Sequence, residues 1–127
     1  MTEPAKTPEN RPRALLSDAE YQRLTGALLA RIEAAADQWL QDDVIDVDTH
    51  RTGGLLELAF PDGSKLIVNT QPPLQEVWLA ARAGGYHFRF DAGRWVDTRD
   101  GSEFFAALSA QATAQGGMAL QVSAPSA

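Results

Sequence analysis

The feature that most constrains the fold is a change of hydrophobic period near residue 44. Before it, Tyr21, Leu24, Leu28, Ile32, Ala35 and Trp39 recur at spacings of three and four, the period of an amphipathic helix of roughly six turns. Ser17 or Asp18 supplies its N-cap, and Glu20, three residues after Ser17, completes a capping-box pattern. From Val44 onward, short runs of Val, Leu, Ile and Phe are separated by Thr52-Gly53-Gly54, Pro61-Asp62-Gly63, Gly84-Gly85 and Asp91-Ala92-Gly93, turn chemistries that suit hairpins. The spacing predicts strands near 44–49, 54–60, 64–70, 75–82, 85–90 and 94–98. Parallel pairing needs a crossover of about a dozen residues, so connections this short make neighbours antiparallel.

Asp100 with Glu103 reads as a second N-cap, and Phe104, Phe105, Leu108 and Ala112 form the stripe of a second helix that fades near Gly116-Gly117. Two apolar-striped helices must cover one face of the sheet and leave the other in water. The expected fold is an α/β (α+β) two-layer sandwich, two helices packed on one face of an antiparallel β-sheet, in the order helix, about six strands, helix. Residues 1–14 contain Pro4, Pro8 and Pro12 and read as a flexible leader. Residues 15–117 read as a single domain, and residues 118–127 as a mostly flexible tail in which Ala119 to Val122 can add a short extended piece.

Composition removes several function classes. A chain of 127 residues supports one modest core. It contains no Cys, which excludes disulfides, a thiol nucleophile and Cys-held zinc or iron-sulfur clusters. A net charge of -6 counts against nucleic acid, whose affinity rests on clustered Lys and Arg. The longest apolar stretches are only a few residues, and Met1 to Arg13 lacks an apolar signal-peptide core, so no membrane partner is expected and the expected location is cytoplasmic. Neither a Gly-rich phosphate loop nor an HExxH motif occurs, and the two His are isolated. No catalytic residue is assigned, and the chain is not read as an enzyme.

The charge is concentrated. Between Glu33 and Asp48 stand Glu33, Asp37, Asp42, Asp43, Asp46 and Asp48 with no Lys or Arg, so six of the chain's 17 acids account for its whole net charge. Helical geometry sends Glu33 and Asp37 to the side opposite the apolar stripe, four residues apart and adjacent on the surface. In the first strand, Asp46 and Asp48 alternate with Ile45 and Val47 and so share a face. A solvated face is the plain reading of such a run. Against it, carboxylates at a helix C-terminus oppose the macrodipole at roughly 0.3–1 kcal/mol each. Like charges at i, i+4 add a smaller penalty. Cation binding and docking to a basic partner therefore stand beside the solvated face. Clustered carboxylates suit a hard cation, held loosely and with little selectivity. His50 borders the window and is either a further ligand or a solvated side chain.

A second surface centres on Trp78. In Val77-Trp78-Leu79 the aliphatic neighbours belong inside, which sends Trp78 to the open face of the sheet. The same alternation places Asn69 and His87 on that face, with Gln71 just past the strand. The indole is either a contact site or a ring shielded by its neighbours.

Several segments together carry a family resemblance. They are Asn69-Thr70-Gln71-Pro72-Pro73 with Trp78, then Gly84-Gly85-Tyr86-His87-Phe88, then Trp95-Val96-Asp97-Thr98-Arg99-Asp100-Gly101-Ser102-Glu103-Phe104. From about Ser17 to Ala114 the chain resembles the frataxin family in its bacterial form. The resemblance implies the same two-helix sandwich. It also implies iron, ferrous or ferric, bound weakly by an acidic ridge comprising Asp18, Glu20, Glu33, Asp37, Asp42, Asp46 and Asp48, with Asp43 beside it, and no organic cofactor. The implied partners are the cysteine desulfurase and the iron-sulfur scaffold protein, met through Glu33 and Asp37 and through Asn69, Gln71 and Trp78 on the sheet. The implied role is an iron-responsive regulator of that complex, monomeric without metal; the alternative is an iron chaperone or store. A ferroxidase ranks lower, because no Glu-x-x-His pair is present. Ala34, Gln38 and Leu40 stand where the family often has further acids, and Gln22 where some relatives place a His, so this ridge is the thinner one.

Overall fold

The computed structural model describes residues 15–125. Helix α1 (Asp18–Gln41) leads into strands β1 (Asp48–Thr52), β2 (Leu55–Ala59), β3 (Lys65–Gln71), β4 (Glu76–Ala81), β5 (Gly84–Asp91) and β6 (Arg94–Asp97), and helix α2 (Phe104–Gly116) follows. A 3-10 turn over Pro72–Leu74 joins β3 to β4. The strands lie in chain order, each antiparallel to the next, as their short connections require. The expected two-layer sandwich is the fold observed. The leader 1–14 lies outside the described residues.

The core forms between the helices and one face of the sheet. Helix α1 begins with the expected capping box: Ser17 Oγ accepts from the Glu20 amide at 3.1 Å, and Glu20 Oε1 accepts from the Ser17 amide at 3.3 Å. It buries Tyr21, Leu28, Leu29, Ile32, Ala35 and Ala36. These meet alternate residues of the strands, Leu56 and Leu58, Leu66 and Val68, Val77 and Leu79, with Phe88, Trp95, Phe104 and Leu108. Gln115 of α2 is a buried polar member, and its amide is used at both ends. Oε1 accepts from the Arg82 amide at 2.9 Å, and Nε2 donates to Ser64 Oγ and the Lys65 carbonyl, each at 3.1 Å.

Two local expectations are corrected. β1 spans 48–52 rather than 44–49, because the Thr52-Gly53-Gly54-Leu55 turn sets its register against β2 and that ladder ends at Asp48 opposite Ala59. Pro61 follows soon after the end of β2, so residues 44–47 have no ladder to join, although Val47 is buried and Asp46 exposed as their alternation demands. The N-cap of α2 is Glu103, whose carboxylate accepts from the Phe105 and Ala106 amides at 2.7 and 3.1 Å; Asp100 instead accepts from the Ser102 amide within the preceding turn. That bond holds the Asp100 carboxyl below its ordinary value.

The segment after α2 returns to the core. Leu120 and Val122, within the Ala119 to Val122 stretch read as a short extended piece, are buried in the core. Thr113 Oγ1 donates to the Leu120 carbonyl and accepts its amide, both at 3.0 Å, and Ser109 Oγ does the same for Val122 at 3.3 and 2.9 Å. Two helix hydroxyls one turn apart thus meet residues two apart in an extended segment, standing in for a strand edge.

Tyr21 ties α1 to the sheet. Its hydroxyl donates to the Glu76 carbonyl at 2.6 Å and accepts from the Gln71 amide at 3.0 Å, bridging both ends of the β3–β4 connection. Gln75, in the left-handed region at φ 52°, makes a paired amide contact to the backbone of Leu16, accepting its N–H at 2.9 Å and donating to its carbonyl at 2.6 Å. Burial pushes the Tyr21 phenol above its ordinary value of 10.0; the Gln71 N–H opposes that rise and the Glu76 charge adds to it. Neutral phenol is therefore the form the fold favours. Its contribution is complete below about pH 10 and is lost as pH rises through the elevated value. Tyr21→Phe should cost about 1–3 kcal/mol by stranding the Gln71 amide. Denaturant unfolding across pH 7 to about 11 checks both points, since the variant should also lose the alkaline sensitivity that this phenol imposes.

Candidate functional site

The acidic residues fall into separate groups. Asp18 and Glu20 occupy the first turn of α1, where carboxylates complement the dipole. Glu20 is engaged in the capping box. At 1.5 Å rise per residue, Glu20 stands about 25 Å from Asp37, too far to share an ion with the other end of the helix.

At that other end, Glu33 is not a free surface carboxylate opposite the core. Leu29, one turn earlier, is buried and widens the apolar stripe toward Glu33, which sits on the flank of the helix beside β1. There its Oε1 accepts from Arg51 Nη1 at 2.8 Å, both side chains about one-third exposed. A window without Lys or Arg in sequence is thus given a cation by the fold. Asp37 is exposed. Asp42 accepts from Gln38 Nε2 at 3.0 Å. Asp46 and Asp48 are exposed in the segment entering β1, and His50 follows them on the same side by alternation, on the open face of the sheet. Leu40 and Val44 are exposed among these acids, at 55% and 41%. Among the described residues, no three His, Asp or Glu side chains converge to hold a metal ion. The carboxylates form an edge of singles and pairs, suited to a loosely held hard cation or to long-range attraction of a basic surface.

Asp43 terminates α1 in a left-handed conformation, φ 60°. The Asp43 amide bonds the Leu40 carbonyl at 3.1 Å and the Val44 amide bonds the Trp39 carbonyl at 2.8 Å, the paired bonds of a Schellman turn whose usual occupant is Gly. An acid there carries backbone strain and opposes the dipole as well. Asp43→Gly should therefore stabilise the fold by about 0.5–1 kcal/mol while weakening any cation or basic partner held by the ridge. Asp43→Asn separates the two effects, since it keeps the side-chain shape and removes the charge; thermal unfolding and a binding titration of both variants check this.

On the open face, pairing places Asn69 directly opposite Trp78, and Trp78 directly opposite His87. Asn69, Gln71 and Trp78 are each half-buried, and the side-chain amides of Asn69 and Gln71 have no hydrogen-bond partner among the described residues. Leu55 extends the row onto β2 opposite Asn69. The structure brings these residues together as expected. Of the two readings open for Trp78, shielding now has a visible source: the imidazole of His87 covers one face of the indole. Glu76, which sequence reasoning passed over, accepts the indole N–H at 2.9 Å. Its spacing of two from Trp78 within a strand was the available signal.

Residues 14–118 match the family model for the Frataxin-like domain. An iron-sulfur cluster assembly protein CyaY from Burkholderia mallei (strain SAVP1) is 50% identical over 109 residues, covering 86% of this chain and 100% of the relative. Among solved structures, a frataxin of the CyaY protein family from Psychromonas ingrahamii superposes with a TM-score of 0.73 at 36% identity, covering 84% of this chain and 97% of that one. A trimeric frataxin from the yeast Saccharomyces cerevisiae, solved in a ferrous complex, is 23% identical with a TM-score of 0.55, covering 84% of this chain and 91% of that one, and shares the fold.

Proposed function

We propose, since this chain belongs to the frataxin-like family, that it is an iron-binding protein of iron-sulfur cluster assembly. In this reading it acts without catalysis of its own, in the cytoplasm, as an iron-responsive regulator that docks on the cysteine desulfurase and scaffold complex. Two exposed surfaces of different chemistry, one at the end of α1 and the start of β1 and one on the open face of the central strands, support the reading. One is the acidic edge formed by Glu33, Asp37, Asp42, Asp43, Asp46 and Asp48. The other is the open-face row of Asn69 and Trp78 with Gln71 beside it. The first attracts a basic surface over a distance, and the second supplies an aromatic and two amides for short-range contact. Leu40 and Val44 add apolar contact area inside the acidic edge.

Iron would be held through carboxylate oxygens, and the spread of those carboxylates favours weak binding at several points over one closed site. This spread is also why a regulator is preferred to a chaperone or store, which needs a defined occupied site. With no Cys in the chain, a cluster cannot be held here through thiolates, so the metal in question is iron and the cluster is built elsewhere. The test is cluster assembly by the cognate desulfurase and scaffold, with and without this protein, over a range of iron concentrations. The reading expects an effect on the assembly rate that changes with iron. An assembly rate untouched by the protein at every iron level would sink it.

A further inference from the structure

Glu76, Trp78 and His87 form a closed arrangement on the open face. The indole of Trp78 and the imidazole of His87 are stacked with ring centroids 4.1 Å apart and planes 6° from parallel. Trp78 Nε1 donates to Glu76 Oε1 at 2.9 Å, and the same oxygen lies 4.0 Å from His87 Nδ1. One carboxylate oxygen thus faces the indole N–H and the imidazole together. The Glu76 side chain is only 15% exposed, whereas that of His87 is 50% exposed. An unrestrained Trp on a solvated sheet face would sample several rotamers, and a partner binding it would have to select one. Here a cross-strand stack fixes the ring plane and a hydrogen bond fixes which way the indole edge turns.

We propose that His87 and Glu76 are positioning residues that hold the Trp78 indole as a rigid plate for partner contact. The inference rests on the contact face named under the proposed function, although the positioning itself does not need a partner to be measured. The other charged groups nearby are Arg89, on the same face of β5 and paired in register with Glu76, and Arg99 just past β6. The Arg99 guanidinium is occupied elsewhere, donating to the Gly85 carbonyl at 3.1 Å and lying over the Tyr86 ring at 5.6 Å.

The experiment follows the Trp78 indole N–H by 15N NMR in the full chain, through its heteronuclear NOE and its chemical shift. The native protein should show a rigid indole, with an NOE close to that of the surrounding strand backbone. His87→Ala should make the indole mobile, His87→Phe should restore its rigidity, and Glu76→Ala should move the N–H signal toward that of a solvated indole. Equal NOE values in the native protein and His87→Ala would overturn the proposal. Affinity for the desulfurase and scaffold complex should fall roughly two- to tenfold in His87→Ala and recover in His87→Phe. If Trp78→Ala left that affinity unchanged while the NMR results held, the contact face would be wrong and the positioning right.

Discussion

Replacing Glu33 and Asp37 together by lysine should weaken docking on a basic partner surface on the order of 10- to 100-fold at low salt, mostly through the association rate. The double change swings four charges on one edge of the helix. Asp37 is exposed and engages no cation among the described residues, so its reversal acts directly on the partner. Glu33 behaves differently, because Arg51 already neutralises it at 2.8 Å. A lysine in place of Glu33 would face that guanidinium and leave a net positive flank beside β1. An exposed pair of this kind is worth about 1 kcal/mol or less, so the fold should survive. A converse variant sharpens the point: Arg51→Ala unmasks Glu33 and should tighten docking severalfold. Both effects should shrink as ionic strength rises, since the Debye length falls to about 8 Å at physiological salt. Surface binding measurements with the desulfurase at several salt concentrations check this. Affinities that ignored both variants would return the acidic window to a plain solvated face.

Phe104→Ala should cost about 3–5 kcal/mol of stability. Phe104 is fully buried at the first position of α2, and its ring meets Phe88 edge-on at 5.0 Å and Phe105 at 5.1 Å. Through Phe88 it joins the last helix to the fifth strand, so the cavity opens between the two layers and not at their margin. Neighbouring rings cannot collapse into the space without abandoning their edge-to-face contacts. Domains of this size are stable by only about 5–15 kcal/mol, so the melting temperature should drop by roughly 10–25 °C. Calorimetry or denaturant unfolding gives the number. Ala106→Ser, on the exposed side of the same turn, should stay within about 0.5 kcal/mol and serves as the control. A loss below about 1 kcal/mol for Phe104→Ala would mean that α2 does not share the main core.

Most strand ends were legible to within a residue, because Gly and Pro turn chemistry marks where a ladder closes. The exception, β1, is instructive. Val44 to Asp48 alternates as a strand should, and the side chains do alternate in and out. Whether an alternating segment joins a ladder depends on where its partner ends, and β2 ends at Ala59. A similar limit applied to the tail. Leu120 and Val122 are unremarkable in a stretch of small residues until Ser109 and Thr113 are seen to line one side of α2 and take up their backbone groups.

What the sequence by itself determined was the sandwich, the placement of an acidic run at the end of α1, and the shared face of Asn69 and Trp78. Periods of 3.6 and 2 and short turns are local properties, and local properties are written in the order of the residues. Only the tertiary structure decided how those groups are paired. Arg51 lies 18 positions from Glu33, yet neutralises it; Glu20 belongs to the same charge class as Asp37, yet stands at the far end of the helix in a cap; and the imidazole across the strand turns an exposed Trp78 into a supported one. Coulomb attraction, hydrogen bonding and ring stacking act over a few ångströms of space whatever the separation along the chain. The partners of a charge are therefore set by which elements the hydrophobic core packs side by side.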